Sequence, residues 1–206
     1  MREGIEIPEP DSYEIVNRRV AGNDGAYKFV YRVPEGQWVP GLKPFGGGER
    51  YNMTGLIHDY SGFPTNSNEV AQQEVTRLLE KVLKNQDDIG QVQEYAMDDA
   101  EYAVVCFGGT TRAVMEAVRA AREKGLKVGM WRPVTVWPFP DQKLGEMLPK
   151  VKGLLMVEHN YGQMLREVQR VSDGSKPIDF IGRINGTVIP PQEILEKIEE
   201  AYRNAK

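Results

Sequence analysis

From residue 66 onward, apolar residues follow two alternating patterns: short unbroken runs, and longer stretches in which they recur three or four positions apart. Over 66–84, Val70, Val75, Leu78, Leu79 and Val82 share one helical face. Asn66 is placed to cap that helix, and Glu69 stands three residues on. Tyr102-Ala103-Val104-Val105-Cys106-Phe107 then runs to Gly108-Gly109, the pattern of a strand buried on both faces. Thr110 is placed to cap the next helix, whose Val114, Ala117, Val118 and Ala121 point one way and which stops at Gly125. Further strands are expected at 126–130, 154–157 and 178–181. Helices are expected at 141–148, 162–171 and 190–204, the last with Ile194, Leu195, Ile198 and Ala201 inward. Strands separated by helices predict a three-layer α/β/α domain over 66–206, built on a mostly parallel sheet.

Residues 1–65 lack a sustained helical period. They hold ten of the 21 glycines and six of the 13 prolines, so an extended Gly/Pro-rich arm fits better than a second core. Tyr27-Lys28-Phe29-Val30-Tyr31 is its best β-like run, room for one hairpin, between the turn signals Gly22-Asn23-Asp24-Gly25 and Gly46-Gly47-Gly48.

Composition narrows the function classes. The 206 residues carry a net charge of −4 with both signs mixed, and no Lys/Arg cluster offers a footprint for nucleic acid or an acidic membrane. No apolar run approaches the roughly 20 residues of a bilayer span, and Met1-Arg2-Glu3-Gly4 opens no signal peptide, so a cytoplasmic protein is expected. A single cysteine excludes an internal disulfide and a multi-cysteine iron–sulfur site in this chain.

In such sheets ligands and partners meet the carboxyl ends of the strands. Those ends carry Gly108, Gly109 and Thr110; Arg132 and Thr135; Glu158, Asn160 and, one turn on, Gln163; and 182–186, a rim expected to be polar and to face a partner. The glycine turn before Thr110 can hold an anion or simply allow a tight strand-to-helix turn, its spacing being neither a P-loop nor a dinucleotide fingerprint. Glu158 and His159 offer acid–base chemistry, but neighbouring strand residues point to opposite faces. Cys106, inside an apolar run, reads as a core thiol. In the stretch 54–65, Thr54, His58 and Asp59 stand among glycines and a proline, either for proton transfer or as a clamp between domains. Two histidines about 100 positions apart give no metal-ligand spacing, so no metal is expected.

Three runs carry a family resemblance: GGGERYNMTGLIHDYSGFPT at 46–65, GLKVGMWRPVTVWPFP at 125–140 and VEHNYGQMLREVQR at 157–170. With IPEPDSYEIVNRR at 7–19 and GRINGTVIPPQEIL at 182–195, they resemble the alpha subunit of the 2-oxoacid:ferredoxin oxidoreductases, nearest the 2-oxoglutarate type. The resemblance implies a domain like the C-terminal domain of transketolase, with an antiparallel edge strand that the periodicity does not reveal. It implies a holoenzyme that uses thiamine diphosphate, magnesium, iron–sulfur clusters and coenzyme A to turn a 2-oxoacid into an acyl-CoA while reducing ferredoxin. Implied partners are an N-terminal thiamine-binding domain of the alpha subunit, a beta subunit, gamma or delta subunits, and ferredoxin through the complex, in a homo- or hetero-oligomer.

In that family the diphosphate motif, Gly-Asp-Gly followed by Asn-Asn, lies in the beta subunit. Here Asn23 precedes Asp24-Gly25 and no Asn-Asn follows. The thiamine-binding domain is not expected in this chain, no catalytic residue carries over, and the chain alone is expected to bind none of these cofactors and to be inactive. The resemblance places 54–65 on the connection between domains, which favours the clamp. The alternative is a stand-alone flavodoxin-like module binding a nucleotide or anion at Gly109-Thr110.

Overall fold

The computed structural model describes residues 6–21, 30–48 and 50–204. The chain divides into two compact units, Met1–Lys81 and Val82–Lys206.

The second unit holds a five-stranded sheet in the order β1-β3-β2-β4-β5. The strands are β1 (Val92–Tyr95), β2 (Tyr102–Cys106), β3 (Val128–Pro133), β4 (Gly153–Glu158) and β5 (Ile178–Gly182). Parallel pairing joins β3, β2, β4 and β5, while β1 pairs antiparallel on the outer edge of β3, Val92 opposite Pro133 and Tyr95 opposite Met130. This is the edge strand that the family resemblance implied. Its four residues, Val-Gln-Glu-Tyr, are too short and too polar to show a period.

The two central strands are buried throughout, which explains their unbroken apolar runs. Alternation splits them between two cores. Tyr102, Val104 and Cys106 pack with α3 (Thr111–Glu123) and α6 (Pro191–Asn204) through Val114, Val118, Ile194 and Ile198. Ala103 and Val105 pack on the other face with α4 (Asp141–Met147) and α5 (Gln163–Ser172) through Leu144, Met147, Met164 and Val168. A short α2 (Gln86–Ile89) precedes β1. The three-layer α/β/α arrangement is therefore present.

Two boundaries differ from the apolar pattern for local reasons. Leu126 is drawn into the end of α3, its N–H donating to Ala121 O while Gly125, at φ +79°, donates to Arg122 O; β3 therefore starts later, at Val128. The helix α1 (Asn68–Leu83), which begins in the first unit, is capped by Ser67 and not by Asn66. Ser67 supplies the first helical carbonyl, to Ala71 N, and its Oγ accepts from Val70 N at 3.3 Å.

The rest of the first unit is turns and isolated bridges. Val20 bridges Leu42, and His58 bridges Pro64 in a tight loop closed by Thr65 N–H to Ile57 O. Most of the expected 27–31 strand and all of the 22–25 turn lie outside the described residues; Val30 and Tyr31 themselves form a turn. Gly46 and Gly48 take positive φ, as the 46–48 turn signal required.

Candidate functional site

The carboxyl ends of the strands bring together most of the residues that the sequence singled out, but in roles set by the neighbouring backbone. At the end of β4, Glu158 is fully buried. Its carboxylate accepts hydrogen bonds from Met164 N at 3.0 Å and Leu165 N at 3.2 Å. Asn160 Oδ1 accepts from Gly162 N and Gln163 N, and Gln163 Oε1 accepts from Tyr161 N at 2.9 Å. The first N–H groups of a helix have no partner inside it, and Gly162 before α5 has no side chain to offer. These three side chains serve that start, and the negative end of Glu158 suits the helix dipole. The expectation of an exposed Glu158 therefore fails. His159, next to it, is exposed, so the two do not converge.

After β2 the chain makes a single 3₁₀ turn, Gly108–Thr110, before α3. Gly108 and Gly109 are exposed and Thr110 is buried. Thr110 does not cap α3 through its side chain. Its Oγ–H lies within reach of Phe107 O at 2.9 Å and Val157 O at 3.3 Å, tying the turn to the neighbouring β4, while Thr111 Oγ donates to Gly108 O. Burial pushes the Cys106 thiol up to about 12, against the opposing pull of Thr111, Arg132 and Thr110. It is a poor nucleophile at neutral pH, because the thiolate is the reactive form.

After β3, Arg132 donates to Gln93 Oε1 at 2.8 Å across to β1. Thr135 donates to Ile89 O at 2.6 Å and accepts from Gln91 N, so it pins the entry to the edge strand. After β5, Arg183 bonds both carboxylate oxygens of Glu193 and donates to Val188 O.

Beside exposed polar residues such as His159 and Asn185, several apolar side chains stand free along this edge. Val134 (48% exposed), Trp137 (61%), Tyr161 (79%), Ile184 (68%) and Val188 (73%) project from the loops after β3, β4 and β5. The rim is thus less polar than the sequence predicted. A signal for this was present in the VTVWPFP run, whose Val134, Val136 and Trp137 lie beyond the last buried residue of β3.

In the first unit, His58 and Asp59 do not form an imidazole–carboxylate pair. His58 Nδ1 lies 3.0 Å from the Asp59 carbonyl, and its ring packs at 4.5 Å on Tyr31. The Asp59 carboxylate accepts from Ser61 N, Ser61 Oγ and Phe63 N. The Ser61 hydroxyl, more than the surrounding backbone N–H groups, holds that carboxyl below its usual range. Gly62, at φ +87°, closes the loop where a Cβ would meet Asn52 O at 2.6 Å. Thr54 Oγ1 accepts from Leu56 N at 3.2 Å, a local turn contact.

Among the described residues no three His, Cys, Asp or Glu side chains gather as a metal site, and the one cysteine is buried at the end of β2. A single cysteine cannot supply the several thiolates that hold an iron–sulfur cluster. No helix among the described residues is long and apolar enough to cross a membrane.

Residues 100–194 match the pyruvate:ferredoxin oxidoreductase core domain II. The 2-oxoglutarate synthase subunit KorA of Methanothermobacter thermautotrophicus is 39% identical over 204 residues, 98% of this chain and 54% of that protein. The chain is a homologue of the alpha subunits of the 2-oxoacid:ferredoxin oxidoreductases. The KorA subunit of Methanocaldococcus jannaschii is 36% identical over 184 residues, 89% of this chain and 49% of that one. The chain thus spans about half the length of the curated relatives it matches. The fold also matches a solved structure, the 2-oxoglutarate:ferredoxin oxidoreductase from Magnetococcus marinus with 2-oxoglutarate, coenzyme A and succinyl-CoA bound. Its TM-score is 0.77 at 23% identity, covering 95% of this chain and 34% of that one.

Proposed function

We propose that this chain is an assembly part of the alpha subunit of a 2-oxoacid:ferredoxin oxidoreductase, with 2-oxoglutarate as the 2-oxoacid. In this reading, residues 1–65 are a connecting arm, 66–206 the α/β domain, and the loop holding Thr54, His58 and Asp59 clamps one domain to the next. The acyl-CoA chemistry, thiamine diphosphate and magnesium, the iron–sulfur clusters and ferredoxin belong to the complete complex. The partner at the rim is another alpha copy or the beta subunit.

The observation that carries the reading is the division of labour along the carboxyl edge. Glu158, Asn160, Gln163, Thr110 and Thr135 bond to backbone, while Trp137, Tyr161 and Val188 are left exposed. Exposed apolar groups grouped on one edge suit a protein interface better than a catalytic pocket. In the complete complex, Trp137→Ser with Tyr161→Ser should weaken assembly tenfold or more, measured by sedimentation, because aromatic anchors dominate interface energy. Normal assembly with lost turnover at saturating 2-oxoacid would instead place the rim in the active site.

A further inference from the structure

The loop after β5 carries a site of another kind, independent of the assembly reading. Asn185-Gly186 is the chain's one Asn-Gly pair, and both residues are exposed and outside any helix or strand. Asn185 Oδ1 accepts two hydrogen bonds from Thr187, from its N–H at 3.1 Å and from its Oγ–H at 2.8 Å. The ring closed by the backbone bond contains both Asn185 Cγ and the Gly186 nitrogen, so the turn holds a carbonyl carbon and a potential nucleophile in one small cycle. Gly186, at φ +79°, has no Cβ to shield its nitrogen, and open space surrounds it. Its N–H donates to no acceptor among the described residues.

We propose that Asn185 is a modification site at which the folded loop promotes loss of the side-chain amide. Hydroxide takes the Gly186 amide proton and becomes water, and the nitrogen attacks Asn185 Cγ. The new N–Cγ bond forms and the Cγ–Nδ2 bond breaks. Nδ2 takes up a proton and departs as ammonia, leaving a five-membered succinimide. Water then opens that ring at either carbonyl to give aspartate or isoaspartate. Nothing is oxidised or reduced. The two Thr187 donors already bond the oxygen that becomes anionic when the nitrogen attacks, the arrangement of an oxyanion hole. The product places a carboxylate where a neutral amide stood, two residues from Arg183, and the isoaspartate form lengthens the main chain on the loop leading to α6.

Asn160 is an internal contrast. Its Oδ1 also accepts two hydrogen bonds, here both from backbone N–H groups, but the residue after it is Tyr161. That nitrogen already donates to Gln163 Oε1 and lies beside a large side chain. Asn160 therefore stays intact.

The test incubates the folded chain at mildly alkaline pH beside a synthetic peptide of the same loop, with Asn185→Gln and Thr187→Val variants. Ammonia release and peptide mapping that separates aspartate from isoaspartate are the readouts. Modification should be confined to Asn185, run severalfold faster in the folded chain than in the peptide, slow severalfold with Thr187→Val, and disappear with Asn185→Gln. A folded-chain rate no higher than that of the peptide, or one unchanged by Thr187→Val, overturns the proposal. So does an Asn160 that reacts as fast.

Discussion

Asp59 shows how a single residue changes meaning once its neighbours are known. Beside His58 in the sequence it reads as half of a proton-transfer pair, yet its oxygens face Ser61 and Phe63. Because its carboxyl is held low by the Ser61 hydroxyl, the contribution it makes to the loop is present above the unfolded pKa, about 4, and is lost as pH falls through the lower folded value. The Gly62 and Phe63 amide signals, followed by NMR, should keep their folded positions down to a pH below about 4. Asp59→Asn should remove that titration. A midpoint at the ordinary carboxylate value would remove the loop-knitting role. Cys106 changed less: an apolar run predicted an inert thiol, and burial in β2 supplies the reason.

At the scale of elements, the start of α5 holds the rim together. Its N–H groups are met by Glu158 from the preceding strand and Asn160 from the loop. Asn160→Ala should destabilise the folded chain by about 1 kcal/mol, the ordinary loss of a helix cap. Glu158→Leu should cost more, about 1–3 kcal/mol, because buried N–H groups are left without an acceptor. Urea unfolding curves of the two variants measure this. An Asn160→Ala variant as stable as the parent that nevertheless fails to assemble would show that the side chain faces a partner. The strands and helices beyond residue 100 were legible because each completes its apolar face within a short window, as Val114, Ala117, Val118 and Ala121 do in α3. The edge strand β1 was not legible, since it exists through pairing with β3 and through the Thr135 bonds that pin its start.

For the whole molecule, the expected behaviour follows from the residue types present. The isolated chain should show no micromolar binding of thiamine diphosphate with magnesium by calorimetry, because Asn23 replaces the first glycine of the Gly-Asp-Gly motif and no Asn-Asn follows. Tight, magnesium-dependent heat release would mean that the site lies in residues assigned here to assembly. Local pattern alone determined the alternation of strands and helices, the two-sided burial of β2, and the placing of candidate residues on one edge of the sheet. All of these depend on side chains a few positions apart. Only the tertiary structure decided what the polar residues on that edge do. Glu158 turns inward to α5, Thr110 reaches across to Val157, Thr135 holds β1, and Trp137 and Tyr161 are left facing outward. The physical reason is that a buried polar atom takes whichever backbone partner the fold brings within reach, and that partner can lie far away in sequence.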